Sequence, residues 1–99
     1  MEKLSQEKIK EHLTKHLKGW SFENNSIKRE LKFKTFVDAF SFMTAIALQA
    51  EKMDHHPDWT NVYNTVSIVL NTHSAGGITQ NDLDLAEIID KVYSRSQSI

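Results

Sequence analysis

The chain has 99 residues, of which 39% are hydrophobic and 25% are charged, with a formal net charge of −1 and no cysteine. This length and composition predict one globular domain over residues 1–99, and the near-neutral charge argues against direct binding of nucleic acid. Without cysteine there are no disulfides, thiolate metal sites or cysteine nucleophiles. No stretch approaches the roughly 20 apolar residues that span a bilayer, so we expect a cytoplasmic protein with no membrane segment.

The first part of the chain predicts a helix followed by a hairpin. Over residues 5–18 apolar side chains recur every four positions among charged ones, which indicates an amphipathic helix that Gly19 ends as a C-cap. Strand-like segments 20–23 and 26–33 flank Asn24-Asn25, a pair that tolerates the positive φ of a tight hairpin turn. Apolar and charged residues alternate in the second strand, which predicts an antiparallel sheet with one solvent-exposed face.

A long apolar helix follows this hairpin. Thr35 and Asp38 have the spacing of a capping box and begin a helix that we expect to run to about Met53. The helix is too apolar to be half exposed, so it should cover the sheet and also contact another subunit. Its predicted buried stripe is Phe36, Phe40, Met43, Ala47 and Ala50, widened by Phe42, Ile46 and Met53.

A second hairpin and a final helix complete the predicted fold. Segments 59–63 and 65–73 read as two strands, and residues 75–77 form a flexible turn. A capping-box pattern over 79–82 begins the last helix, while the polar residues 94–99 are expected to fray. The order αββαββα predicts an α+β fold with a four-stranded antiparallel sheet and helices packed on one face.

The connection between the long helix and the second hairpin contains two adjacent histidines, His55 and His56, followed by the only proline, Pro57. Imidazole gives or takes a proton near neutral pH, so these residues are candidates for acid-base chemistry. Pro57 should restrict the backbone of His56 to extended conformations. Because His73 ends the last predicted strand, antiparallel pairing would bring it close to both histidines.

Each candidate residue also has a purely structural interpretation. An adjacent histidine pair is more often part of a polar loop than a catalytic dyad. Asp82 is explained by its place in the capping box that Thr79 begins. Glu51 fits a solvated charge at a helix end, and Trp59 fits a core residue.

A zinc site is a second chemical interpretation. The required ligand types are present in His55, His56 and His73 with Asp54 or Asp82. Neighbouring side chains on an extended backbone diverge, however, so the two adjacent histidines would rarely point to one centre. We therefore predict no metal.

The pattern of these residues resembles the pterin-4a-carbinolamine dehydratases, which in animals are also dimerisation cofactors of a homeodomain transcription factor. The resemblance covers roughly residues 20–93. It is carried by Glu51, His55-His56-Pro57, Tyr63, His73 and Asp82 at the family's spacing, with support from segments 40–44, 47–52, 59–64 and 72–77.

The resemblance implies a hydro-lyase without a cofactor that dehydrates 4a-hydroxytetrahydropterin to quinonoid dihydropterin by histidine acid-base catalysis. This is the 4a-hydroxytetrahydrobiopterin dehydratase step in tetrahydrobiopterin recycling and biosynthesis. The implied catalytic set is His55, His56, His73 and Asp82, with His55 and His73 as acid and base, His56 orienting the pterin and Asp82 orienting an imidazole. The implied substrate-binding residues are Glu51, Asp54, His55, His56, Trp59, Asn71, Thr72, His73 and Ser74.

The competing interpretation is an interaction module that acts as a dimerisation cofactor or transcriptional coactivator. Under either interpretation the long apolar helix favours a homodimer or homotetramer. The same surface could take a heterologous protein partner, which the sequence does not identify.

Overall fold

The computed structural model describes residues 2–97 and confirms the predicted element order. Four antiparallel strands form one sheet in the order β1-β2-β4-β3. The elements are α1 (Gln6–His16), β1 (Ser21–Glu23), β2 (Ser26–Lys32), α2 (Phe36–Met53), β3 (Asp58–Val62), β4 (Thr65–Leu70), a 3-10 turn (His73–Ala75) and α3 (Gln80–Gln97).

The sheet has one buried and one exposed face, as the alternation in β2 predicts. Successive side chains of a strand point to opposite faces of the sheet. Ile68 of β4 pairs with Arg29 of β2 on one side and with Trp59 of β3 on the other, so these three side chains point to the same face. The helices pack on the apolar face. Its buried strand residues are Ile27, Leu31, Val66, Ile68 and Leu70.

Helix α1 is amphipathic as predicted, but it ends earlier than expected. Ser5 caps its start by accepting a hydrogen bond from the Lys8 backbone N–H at 3.2 Å. The helix ends at His16, and Gly19 is not its cap. A Cβ at Gly19 would lie 2.6 Å from Cζ of Arg29, so the glycine permits a close approach rather than a left-handed backbone.

Helix α2 begins where predicted, with Thr35 accepting a hydrogen bond from the Asp38 N–H at 3.1 Å. The predicted buried stripe is confirmed for Phe42, Ile46 and Ala50 and for the partly buried Met43 and Met53, but it was wrong for Phe36, Phe40 and Ala47, which are exposed. Phe36 and Phe40 are 48% and 55% exposed. A helix that is apolar on most sides can bury any of several stripes. The small residues at both ends of the buried stripe allow the helix to approach its neighbours closely. The buried residues are Ala39, Phe42, Ile46 and Ala50. The opposite surface, here called the exposed α2 face, consists of Phe36, Val37, Phe40 and Leu48.

Helix α3 is anchored to the sheet by polar contacts. Asp90 accepts hydrogen bonds from the Arg29 guanidinium at 2.6 Å and the Trp20 indole at 2.8 Å. Tyr93 donates its hydroxyl to the Lys32 carbonyl at 2.9 Å. Residues 94–97, part of the segment expected to fray, are exposed and continue α3 as a helix. Residues 98–99 lie outside the described part. No helix of residues 2–97 combines the length and apolarity needed to cross a membrane.

Candidate active site

Three strand ends meet at one end of the sheet. Strands β2 and β3 begin there and β4 ends there, as the pairs Ile27 with Leu70 and Asp58 with Val69 require. The loop before β3, the turn before β2 and the segment after β4 are therefore neighbours. Seven of the ten sequence-predicted site residues lie on the first and the third of these segments, while Glu51, Trp59 and Asp82 lie in α2, β3 and α3.

The end of α2 fixes the position of His55. Asp54 has a left-handed backbone, with φ of 53°. Its N–H donates to the Glu51 carbonyl at 3.1 Å, and the His55 N–H donates to the Ala50 carbonyl at 3.0 Å. These two bonds form a Schellman motif, in which aspartate replaces the usual glycine. The turn leaves Asp54 exposed and directs His55 inward, where it is 9% exposed.

Asp82 is the buried partner of His55. Its Oδ1 lies 2.5 Å from His55 Nε2, while its Oδ2 accepts from the Thr72 hydroxyl and the Thr79 N–H, each at 2.8 Å. The carboxylate is fully buried, so these donors replace its hydration. Because an ionised carboxylate only accepts, Nε2 of His55 carries a hydrogen and Nδ1 is the nitrogen left for chemistry.

The Asp82 carboxylate makes one of the two hydrogen bonds of the predicted capping box and also contacts His55. Its carboxylate reaches back to the Thr79 N–H, as the box requires. The Thr79 hydroxyl instead lies 2.7 Å from the Thr72 hydroxyl. Since the Thr72 hydrogen points to Asp82, Thr79 donates to Thr72. The first turn of α3 is therefore linked to the segment after β4.

His56 and Glu51 form a second pair on the surface. His56 Nε2 lies 2.9 Å from Glu51 Oε1, and the two side chains are 58% and 80% exposed. An exposed pair of this kind contributes little to stability, so both groups can turn toward a ligand at low cost. Trp59 is half-buried against the core, and Asp54 is exposed.

His73 is not at a strand end, because β4 ends at Leu70. The Thr72 N–H donates to the Gly77 carbonyl at 2.8 Å, and His73 begins a 3-10 turn that Gly76 closes with φ of 73°. The Thr72 side chain is already held by Asp82, which turns the chain away from the strand direction. His73 and Ser74 are both exposed.

The structure brings some predicted residues together and leaves others apart. His55, Asp82 and Thr72 form one hydrogen-bonded cluster, and His73 follows Thr72 in the chain. Among residues 2–97 no hydrogen bond joins two of the histidines at 55, 56 and 73. The same range holds no group of three or more His, Asp or Glu side chains arranged to bind a metal ion.

Two residues of the site were not predicted from the sequence as site residues. Thr79 was assigned only a capping role, although its buried hydroxyl supports Thr72. Ser26 accepts a hydrogen bond from the Asn71 amide at 3.0 Å and so fixes that side chain. The Thr-x-x-Asp pattern indicated the first residue, whereas nothing local distinguishes Ser26 from an ordinary strand serine.

Comparison with known sequences identifies related proteins. A family model described as Pterin 4 alpha carbinolamine dehydratase matches residues 2–92. A protein of Prochlorococcus marinus, which carries the provisional name pterin-4-alpha-carbinolamine dehydratase, is 58% identical over 76 residues, covering 77% of this chain and 80% of its own length. A protein of Mesorhizobium japonicum with the same provisional name is 54% identical over 94 residues, covering 93% and 95%.

Two solved structures are also similar. The crystal structure of a transcriptional coactivator/pterin dehydratase from Brucella melitensis has a TM-score of 0.88 and 40% identity, covering 92% of this chain and 98% of its own. A pterin dehydratase-like protein, described as a RuBisCO assembly factor in the alpha-carboxysome, has a TM-score of 0.63 and 16% identity, covering 75% and 86%. The second likeness concerns the fold alone.

Proposed function

The chain belongs to the pterin 4 alpha carbinolamine dehydratase family, and we propose that it dehydrates 4a-hydroxytetrahydropterin, with 4a-hydroxytetrahydrobiopterin as the biological substrate. The product is quinonoid dihydropterin, which a reductase returns to the tetrahydropterin used by aromatic amino acid hydroxylases. The protein would thus serve tetrahydrobiopterin recycling.

The reaction requires two proton transfers at neighbouring atoms. The C4a–O bond breaks with its electron pair leaving on oxygen, which takes a proton from an acid and departs as water. The N5–H bond breaks as its proton passes to a base, and its electron pair forms the C4a–N5 double bond. One imidazole donates and another accepts, so the atoms balance without a redox partner.

The single observation that carries this proposal is the contact between His55 Nε2 and the fully buried Asp82. A carboxylate that accepts three hydrogen bonds fixes both the ring orientation and the tautomer of His55. Nδ1 is then positioned to exchange a proton with the substrate. Acid-base assistance by a positioned imidazole contributes about 10²- to 10⁴-fold, which suffices for a dehydration that also proceeds unaided.

His73 is the proposed second proton-transfer group. It is exposed and follows Thr72, which donates its hydroxyl to Asp82, the carboxylate that contacts His55, and this connection supports the proposal. His56 would bind and orient the pterin ring, and Glu51 would accept hydrogen bonds from its N–H groups. Asp54, Trp59, Asn71, Thr72 and Ser74 are the further proposed substrate contacts.

The direct test follows the absorbance change when chemically generated 4a-hydroxytetrahydropterin dehydrates, with and without the protein. We expect the rate to exceed the buffer rate in proportion to protein concentration and to survive extensive chelation. A rate equal to that of buffer would refute the proposed activity, and a rate abolished by chelation would favour the zinc interpretation.

A second candidate function is an interaction module, either a dimerisation cofactor or a transcriptional coactivator. The exposed α2 face favours it, since four large apolar side chains on one helix surface are 48–69% exposed. We propose that a homodimer or homotetramer covers this face and that a heterologous protein partner would compete for it. Co-purification of one specific protein, together with a phenotype that does not need the histidines, would favour this function over catalysis.

The proposed location is the cytoplasm, because a sequence without cysteine suits a reducing compartment. Fractionation of cells that express the protein would test it. Recovery with secreted or membrane proteins would contradict the assignment.

A further inference from the structure

We propose that the β1–β2 turn, Asn24-Asn25, recognises hydroxyl groups on the C6 side chain of the pterin and so sets substrate preference. This inference rests on the proposed dehydratase function. The two asparagines lie outside the substrate-binding set implied by the family resemblance. The chemical class of ligand is a pterin with a short hydroxylated substituent.

The sheet register places this turn beside His73. Ile27 pairs with Leu70, and the next residues outward, Ser26 and Asn71, are joined by a 3.0 Å hydrogen bond. The β1–β2 turn and the segment after β4 therefore leave the sheet at the same end. A concavity of about 230 Å³ lies between them, with Asn24 and Asn25 on one side, Asn71, Thr72 and His73 on the other, and Gly76 and Gly77 completing the lining.

The two amides of the turn are available for a ligand. Asn61, Asn64 and Asn71 each donate to a named acceptor within the protein. The side chains of Asn24 and Asn25, by contrast, make no hydrogen bond within residues 2–97, and both are exposed. An amide offers a donor and an acceptor together, which matches a hydroxyl group that does the same.

The backbone does not require an amide at the second turn position. Asn24 and Asn25 have φ of 53° and 61°, values that suit the left-handed positions of a type I′ turn. Glycine forms this turn at the second position at least as well as asparagine. The side chain of Asn25 is therefore free to serve another purpose, and glycine can remove it without disturbing the turn.

The orientation of the ring follows from the charges at the site. The pyrimidine edge of a pterin carries several N–H groups. The Glu51 carboxylate beside His56 can accept hydrogen bonds from them. With that edge near Glu51 and the reacting C4a–N5 bond near the histidines, the C6 substituent points away from Glu51, and we place it toward His73, which lines the concavity. The concavity beneath the turn lies on that side.

The test compares two substrates in Asn24→Gly, Asn25→Gly and the double variant. One pterin carries a dihydroxypropyl group at C6 and the other a methyl group. For each amide removed we expect KM to rise about 2- to 10-fold for the hydroxylated pterin, with KM for the methyl pterin unchanged and kcat for both retained. Tyr63→Gly is the matched control, because Tyr63 has φ of 51° in the β3–β4 turn at the opposite end of the sheet.

A binding measurement separates the inference from the proposed activity. Fluorescence titration with stable biopterin and 6-methylpterin should show the same selective loss, and thermal unfolding confirms that each variant is folded. An active wild type whose glycine variants treat both pterins alike would overturn the inference alone. A wild type without dehydratase activity would overturn the proposed function, and the inference would fall with it.

Discussion

Replacing Asp82 by asparagine tests the acid-base role most directly, because the change removes one charge and keeps the shape. Oδ2 of Asp82 accepts from Thr72 and Thr79, so the amide oxygen of asparagine should take that position. Its NH₂ group then faces His55 Nε2, where the wild-type ring carries a hydrogen. Two N–H groups cannot bond each other, so His55 must move its hydrogen to Nδ1.

The magnitude follows from the contacts that change. Shifting the hydrogen occupies Nδ1, the nitrogen proposed to exchange a proton with substrate, so we expect the protein-dependent rate to fall about 10²-fold or more. In hydrolase triads the same exchange of aspartate for asparagine costs about 10⁴-fold. Hydrogen bonds to a charged acceptor become neutral ones, which should lower the free energy of unfolding by about 2 kcal/mol. For a domain of this size, the melting temperature would fall by about 8–16 °C.

The assay combines dehydration kinetics with NMR of the imidazole nitrogens. Asp82→Asn should remain folded, show the hydrogen of His55 on Nδ1 rather than Nε2, and dehydrate slowly. Asp84→Asn is the matched control, since Asp84 is exposed on the same helix and its one side-chain hydrogen bond within residues 2–97 is accepted from Gln80. A folded Asp82→Asn protein with the wild-type rate would refute the argument from tautomer control.

Three further predictions concern other parts of the molecule. His73→Ala should slow dehydration about 10²- to 10⁴-fold with stability within about 0.5 kcal/mol of wild type, whereas exposed His16→Ala should change neither the rate nor the urea midpoint. Phe40→Glu should shift the oligomer toward monomer in light scattering, while Gln49→Glu on the same helix should not. Equal masses for the two variants would contradict assembly through the exposed α2 face. Asp54→Ala should lower the free energy of unfolding by about 1–2 kcal/mol, because a Cβ without a polar side chain is unfavourable in the left-handed region. Asp54→Gly should keep the wild-type urea midpoint. Equal stability of the two variants would refute the assignment of a Schellman motif.

The element order could be predicted because its signals are local. The capping residue Thr35 marked the start of α2, and the Asn24-Asn25 pair marked a turn. Alternation in β2 identified its buried face, which the register confirms. Each signal depends on residues a few positions apart, so a single sequence contains it.

Other features depend on contacts that the sequence does not display. Phe36 and Phe40 were wrongly placed in the buried stripe of α2, because a helix that is apolar on most sides can bury any of several stripes. His73 was placed in a strand because nothing local indicates that Thr72 is held by Asp82. The site pattern of three histidines and one acid was predicted by resemblance, whereas the burial of Asp82 and the role of Thr79 required the folded chain.

The left-handed turn at Asp54 ties the position of His55 to the end of α2. The backbone of His55 is bonded to the last turn of a rigid helix of 18 residues, about 27 Å long. A tilt of about 5° around the helix midpoint moves that end by about 1 Å, enough to break the 2.5 Å contact with Asp82. A partner that tilted α2 by binding the exposed α2 face would therefore displace the proposed proton-transfer group, so that assembly and turnover would be coupled through one helix.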